Sequence, residues 1–380
     1  MRIGFFTEVY HPVVNGIVAS VDALATGLRG LGHEVSCFTP KVPGYRESDG
    51  PVFRMPSLPL PMQKAYRLTL PIVSRRNLNG VIKHLDIIHG HSLFITGWMG
   101  LRYARRYGVP FVYTYHTRLE EYAHYLPFDE TAMRRAANAL TRNFANLADA
   151  VIVPTETMRE RLLLLGVTAP VSVVPSGIDV EAFAGGFRSP ETRLAMGARP
   201  GERLAFFASR LAKEKNVGVL IDALAASAPG LHLAIAGDGP EREALELRVQ
   251  ARGVTARVTF LGAVERSRLP SLYANADAFV FPSVSETQGI VLAEALAAEC
   301  LIIAADTSLN RDVLGLAARF TEANPRALAA ALDEIPPLPD PHARLLARER
   351  AQRFATSLHS ADVAALYERL IERVPAVTRS

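Results

Sequence analysis

Short apolar runs alternate with longer amphipathic stretches along this chain, and the alternation occurs twice. In the first half the apolar runs predict strands near Ile3–Thr7, Glu34–Thr39, Ile87–His89, Phe111–Tyr115, Ala150–Val153 and Val171–Val174. Helices are predicted between them near Ile17–Leu31, Thr96–Arg106, Glu130–Leu147 and Glu156–Leu165. In the second half strands are predicted near Leu204–Ala208, His232–Ala236, Arg257–Leu261, Ala278–Phe281 and Cys300–Ala304. Their helices follow near Val217–Ala226, Glu241–Arg252, Arg268–Tyr273, Ile290–Ala298 and Pro325–Glu334. Strand–helix alternation of this kind predicts an α/β protein with parallel sheets covered by helices, here two doubly wound domains in series.

Gly185-Gly186, Pro190 and Pro200 interrupt the pattern between Ser176 and Gly201, so this stretch reads as a linker without regular elements. The domains are expected over residues 1–180 and 200–355. A Pro-rich run, Ile335 to Pro341, is a second break, and a last helix over 359–375 is expected to pack back on the first domain.

A length of 380 residues suits two cores better than one. Cys37 and Cys300 both sit in apolar runs and resemble core residues of a reducing compartment, not a disulfide framework or a zinc site. The N-terminal apolar stretch is too short for a signal peptide, and no run of about 18 apolar residues occurs. A cytoplasmic protein is expected. Residues 1–180 hold 19 Lys/Arg against 14 Asp/Glu, and residues 181–380 hold 23 against 24. The basic excess in the first half suits an anionic surface. No basic stripe interleaved with aromatics is present, which argues against nucleic acid as a partner.

The chemistry concentrates where predicted strands end. After the apolar run Ala278 to Pro282 come Glu286, Gln288, Gly289 and Ile290, then Glu294 on the next helix. A glycine lets backbone approach a ligand, and a helix start offers N–H groups to an anion. Arg210 and Lys215 follow the first strand of the second domain, and two cations at the carboxyl edge of a parallel sheet suit a diphosphate. Gly16 stands where the first long helix begins, a further place for a phosphate. His116 ends a strand of the first domain. Gly237-Asp238-Gly239 either borders a nucleotide or is a tight turn alone. Neither Asp-x-Asp nor Gly-x-Ser-x-Gly occurs, and His89-Gly90-His91 lacks a partner set at ligand spacing, so no essential metal or cofactor is expected.

Together these stretches resemble glycosyltransferase family 4, the retaining enzymes of GT-B fold, from Met1 to about Asp306. Glu286 and Glu294 have that family's E-x7-E spacing. Within it the chain is most similar to diacylglycerol glucosyltransferases that make membrane glycolipids. Phe6 to Val18, Asp86 to His91, Tyr113 to Thr117, Glu121 to Tyr125 and Ser285 to Gly289 carry that likeness. Ala297-Ala298-Glu299-Cys300 stands where the family often has a glycine, Thr307 to Asn310 lacks the usual paired glycines, and Ser209 replaces a common glycine.

The resemblance implies two Rossmann-like domains facing across a cleft and a nucleotide sugar as substrate, not cofactor. It implies that Gly16 binds the diphosphate through its N–H, and that Arg210 and Lys215 hold both phosphates. Glu294 would bind the ribose hydroxyls and Glu286 the sugar hydroxyls near C3. Backbone amides of Gln288, Gly289 and Ile290 would complete the cradle, and the base would lie near Gly262, Ala263 and Val264. His116 would lie by the sugar's C6 hydroxyl and the acceptor. The expected reaction moves a hexose, UDP-glucose being the first donor to consider, to a lipid such as diacylglycerol. GDP-mannose-dependent transfer is the alternative, and a nucleotide-sugar C2 epimerase is the rival of another class. Leu58 to Arg76, with Lys64, Arg67, Arg75 and Arg76, and beyond it Arg102, Arg105 and Arg106, reads either as an interfacial patch on the inner face of an anionic membrane or as an amphipathic element with a basic face.

Overall fold

The computed structural model describes residues 1–45, 50–60, 63–70, 77–125, 129–336 and 340–373. Two compact units divide them. The first comprises Met1–Gly177 with Thr356–Ser380, and the second comprises Ile178–Ala355.

The first unit is built on a parallel sheet of β1 (Arg2–Phe6), β2 (Glu34–Pro40), β3 (Val52–Met55), β6 (Ile87–Gly90), β7 (Phe111–Thr114), β8 (Ala150–Val153) and β9 (Val171–Val173). A separate antiparallel hairpin is formed by β4 (Ser57–Leu60) and β5 (Gln63–Thr69). The sheet order is β3-β2-β1-β6-β7-β8-β9, so the order reverses direction between β1 and β6. Ligands of such sheets bind at the carboxyl ends of the strands flanking this switch. Ile3, Phe5 and Phe6 of β1 are fully buried, as strands covered by helices on both faces require. Burying each such side chain contributes about 1.5–3 kcal/mol. The last helix, Thr356–Glu372, belongs to this unit, where its Val363, Tyr367 and Leu370 share a core with Val21, Leu24 and Leu28 of the helix Gly16–Gly30.

The second unit repeats the plan with β10 (Arg203–Ala208), β11 (Leu231–Ala236), β12 (Val258–Gly262), β13 (Ala278–Phe281), β14 (Ile302–Ala305) and β15 (Arg319–Thr321). All pairings are parallel, in the order β12-β11-β10-β13-β14-β15, and the switch falls between β10 and β13.

The stretch read as a linker carries two helices, Val180–Ala184 and Pro190–Ala195. Asp179 and Ser189 cap them through bonds from the Ala182 and Thr192 amides. Pro190 occupies the first turn, where its missing N–H is not needed, so the proline begins a helix instead of breaking one. Among the described residues no helix is long and apolar enough to cross a membrane.

Candidate active site

In the second unit, each residue singled out in the sequence lies in a loop at the carboxyl edge of the sheet or within the helix that follows. Arg210 stands two residues past β10 and is half-buried. Lys215 ends a short 3-10 turn, Lys213–Lys215. Glu286, Gln288 and Gly289 lie between β13 and the helix Ile290–Ala297, which Glu294 occupies. Gly237 and Val264 follow β11 and β12.

Side chains tie the two loops at the switch together. Lys215 Nζ is 2.5 Å from Glu286 Oε1, with both side chains largely buried. Ser283 Oγ lies 3.1 Å from the Glu214 carbonyl and 3.1 Å from Glu286 Oε1, so its one proton serves either acceptor. Asn216, at φ 57°, donates from Nδ2 to the Pro282 carbonyl at 3.3 Å. The result is a fixed cation–carboxylate pair beside Gly289, the N-cap of the helix Ile290–Ala297. Gly289 has φ 72° and carries no side chain to cap the first N–H groups. The partial positive charge of that helix start is therefore available to an anion.

Glu294 is the more buried of the two glutamates. Its Oε1 is 2.9 Å from Arg266 Nη2, and its Oε2 accepts from Tyr273 Oη at 3.2 Å. Burial pushes its carboxyl above the ordinary value, while Arg266 and the Tyr273 hydrogen bond act in the opposite sense. Burial also holds the Tyr273 phenol well above its usual range, so it remains a donor. Arg266 and Tyr273 were not singled out in the sequence. They belong to a 3-10 turn and a helix before β13, and no local spacing links them to Glu294.

The glycine after β11 has a packing role of its own. A Cβ on Gly237, at φ 133°, would come within 1.8 Å of the Ser209 carbonyl oxygen. Its amide donates to the Gly262 carbonyl at 2.7 Å, and Leu211 N donates to Asp238 O at 3.0 Å. Backbone contact thus holds the Arg210 loop against the Gly237 turn.

In the first unit, Gly16 is the first residue of its helix, and the preceding Asn15 accepts from Val18 N at 3.0 Å. His116 lies two residues past β7, with Nε2 3.0 Å from Nδ1 of His91, which follows β6. His91 and His89 are buried with ring centroids 4.0 Å apart. Burial pushes His116 down to about 3 and holds His91 and His89 well below the usual histidine range, so all three imidazoles are neutral near pH 7. Among the described residues no group of three or more His, Cys, Asp or Glu side chains is disposed to hold a metal ion.

The proposed surface patch is only partly covered. Arg75 and Arg76 lie outside the described residues, as does the side chain of Lys64. Leu58, Leu60 and Leu68 of the hairpin are exposed, while Arg67 folds back onto Ser57, donating from Nε to its Oγ at 2.8 Å.

Known proteins match both units. The family model described as Glycosyltransferase Family 4 matches residues 14–182, and that described as Glycosyl transferases group 1 matches residues 189–352. The chain is 33% identical over 318 residues to an alpha-monoglucosyldiacylglycerol synthase of Acholeplasma laidlawii, covering 80% of each chain. It is 34% identical over 321 residues to a GDP-mannose-dependent alpha-mannosyltransferase of Mycobacterium tuberculosis, covering 83% of this chain and 81% of the relative. Among solved structures, the sucrose-phosphate synthase of Thermosynechococcus elongatus matches with a TM-score of 0.78 and 21% identity, covering 98% of this chain and 99% of that one. Two parallel doubly wound sheets of GT-B fold, one matched by the Family 4 model and the other by the group 1 model, together with relatives 33% and 34% identical over 80% and 83% of the chain, establish that the chain belongs to glycosyltransferase family 4.

Proposed function

We propose that this glycosyltransferase moves a hexose from a nucleotide sugar to a hydroxyl of a membrane lipid such as diacylglycerol, with UDP-glucose as donor. The observation that carries the nucleotide-sugar half is the second unit's own geometry. Lys215 is fixed by Glu286 at the switch of the sheet, beside a helix start with a glycine N-cap. Arg210, Lys215 and the first N–H groups of that helix would stabilise the charge that grows on a departing nucleoside diphosphate. That set of cations and dipoles supplies the electrostatic stabilisation without a metal. Glu286 would orient the sugar hydroxyls and Glu294 the ribose.

The acceptor hydroxyl attacks the anomeric carbon as the bond to the diphosphate oxygen breaks. Attack on the leaving-group face retains configuration, and the departing phosphate oxygen takes the acceptor's proton. The activity named for the Acholeplasma relative supports the lipid acceptor. So does the first unit's surface, where Leu58, Leu60, Leu68, Phe94 and Trp98 are exposed and Arg102, Arg105 and Arg106 follow on the helix Ile95–Tyr107. On this reading the enzyme works at the cytoplasmic face of an anionic membrane. The mycobacterial relative supports a second reading, with GDP-mannose as donor.

A donor-by-acceptor assay tests both. Purified protein is given UDP-glucose, UDP-galactose, UDP-GlcNAc or GDP-mannose, with diacylglycerol in anionic liposomes or without lipid. The expected result is lipid-dependent release of UDP with a new glucolipid. A mannolipid selects the second reading, and transfer only to soluble sugars overturns the lipid acceptor.

A further inference from the structure

His91 is 3% exposed, and its two nitrogens have different fates. Nδ1 meets His116 Nε2 at 3.0 Å. Nε2 is buried and has no hydrogen-bond partner among the described residues. Nine other buried side-chain atoms among the described residues share this state, but His91 is the one of the ten residues that lines a cavity of the first unit, and an unpaired buried atom at such a place calls for a partner from outside the chain. The neighbouring His89 is not the missing partner. Its Nδ1 is engaged by Tyr367 Oη and its Nε2 by Thr114 Oγ1, each at 2.6 Å.

His91 and His116 line the same cavity in the first unit, of about 50 Å3, with Thr7, Ser92, Phe94 and Thr117 also on its wall. That space exceeds the roughly 15 Å3 needed for one water, and it suits a hydroxyl or hydroxymethyl arm. Both imidazoles are neutral, so the contact between them holds one proton and their tautomers are linked. If His116 Nε2 donates, His91 Nε2 carries a hydrogen and is a donor. If His91 Nδ1 donates, His91 Nε2 is an acceptor. A hydroxyl satisfies either state because it both donates and accepts, whereas a carboxylate or an ammonium satisfies one only.

We infer that His91 and His116 form a hydroxyl-recognising pair, in which His91 Nε2 binds a hydroxyl of the transferred sugar or of the acceptor and His91 Nδ1 sets the tautomer of His116. The inference rests on the sugar-transfer reading for its ligand, but not for its tautomer half. His91 is thus a substrate contact and a positioning residue, and its place at the end of β6 beside the switch is where such a residue is expected.

Two variants separate the nitrogens. His91→Asn keeps a polar group near the Nδ1 position and removes Nε2, while His91→Gln places its amide near Nε2. Each is assayed for transfer with donor and acceptor varied separately, for donor hydrolysis without acceptor, and for UDP binding by calorimetry. His91→Asn is expected to lose roughly ten- to hundredfold in kcat/KM for one substrate with UDP affinity unchanged, and His91→Gln to recover most of it. Loss in both transfer and hydrolysis assigns the hydroxyl to the sugar, and loss in transfer alone assigns it to the acceptor. Turnover within twofold of wild type in both variants overturns the contact.

An arm without turnover uses 15N-labelled histidine. His116 is expected to show one tautomer in the wild type and a mixture in His91→Phe. An unchanged His116 signal overturns the pairing even if the enzyme proves inactive with every donor, and a change sustains it.

Discussion

Lys215 Nζ and Glu286 Oε1 lie 2.5 Å apart, and through them the loop after β10 is joined to the loop after β13. On the proposed function, stability and turnover are both expected to depend on this pair and to separate under mutation. Lys215→Met leaves a largely buried carboxylate without its cation and is expected to cost about 1–3 kcal/mol of stability. Lys215→Met with Glu286→Gln is expected to restore most of that in urea unfolding and none of the activity. Glu286→Ala and Arg210→Ala are each expected to lower kcat/KM on the order of a hundredfold. Near-normal turnover in either variant removes that residue from the site.

Arg266 is the cation on Glu294, and it acts against the burial that raises the carboxyl. Arg266→Ala removes that opposition, so the Glu294 carboxyl rises further. A protonated carboxyl accepts fewer hydrogen bonds from ribose hydroxyls. UDP affinity, followed by calorimetry from pH 8 to pH 5, is expected to fall on acidification in both proteins, with the fall beginning at higher pH in the variant. Identical profiles show that Arg266 does not tune Glu294.

Gly237 and Gly262 both have positive φ, but only one is sterically confined. A Cβ on Gly237 meets the Ser209 carbonyl oxygen at 1.8 Å, while a Cβ on Gly262 meets nothing within 4 Å. Gly262→Ala is expected to lose about 1–2 kcal/mol, the backbone strain alone. Gly237→Ala must also push the Arg210 loop away, so both Tm and UDP affinity fall further. Equal Tm losses would show that the loop yields without resistance.

Strands buried on both faces were legible in the sequence because their apolar runs are dense, as in Leu204 to Ala208 and Ala278 to Phe281. β3 and β15 were not legible. Val52–Met55 is flanked by Pro51 and Pro56, and Arg319–Thr321 is too short to show alternation. At the candidate site, Glu286, Gly289 and Glu294 stand out because one strand–loop–helix segment carries them in a fixed spacing. Arg266 and Tyr273 do not, because they reach Glu294 through tertiary folding, and Ser283, three residues before Glu286, lies outside the spacing that marks the segment. His91 sits at a strand end like His116, but in the sequence His89-Gly90-His91 reads as part of the family likeness and fails as a metal set, and neither reading marks His91 as a substrate contact.

His89, His91, His116 and His359 are all held below the ordinary histidine value, mainly by burial, His116 to about 3 and His359 to about 4. In the unfolded chain each binds a proton below about pH 6.5, and in the folded protein each stays neutral to a much lower pH. The unfolded state therefore binds more protons in that window, so stability is full above about pH 6.5 and is lost as pH falls toward 4. Each histidine contributes a slope of up to about 1.4 kcal/mol per pH unit. Glu294, raised in the folded state, opposes this in part. His359 accepts from Gly177 N at 2.8 Å through Nδ1, a position that an asparagine amide oxygen can occupy without titrating. Urea unfolding from pH 7.5 to 4.5 is expected to show a steep loss in the wild type and, in His359→Asn, a slope shallower by about one proton. Parallel slopes would mean that His359 titrates in the folded protein as it does in the unfolded chain. In the same range kcat/KM is expected to show no acid limb near pH 6.5 from His116, because its imidazole is already neutral there.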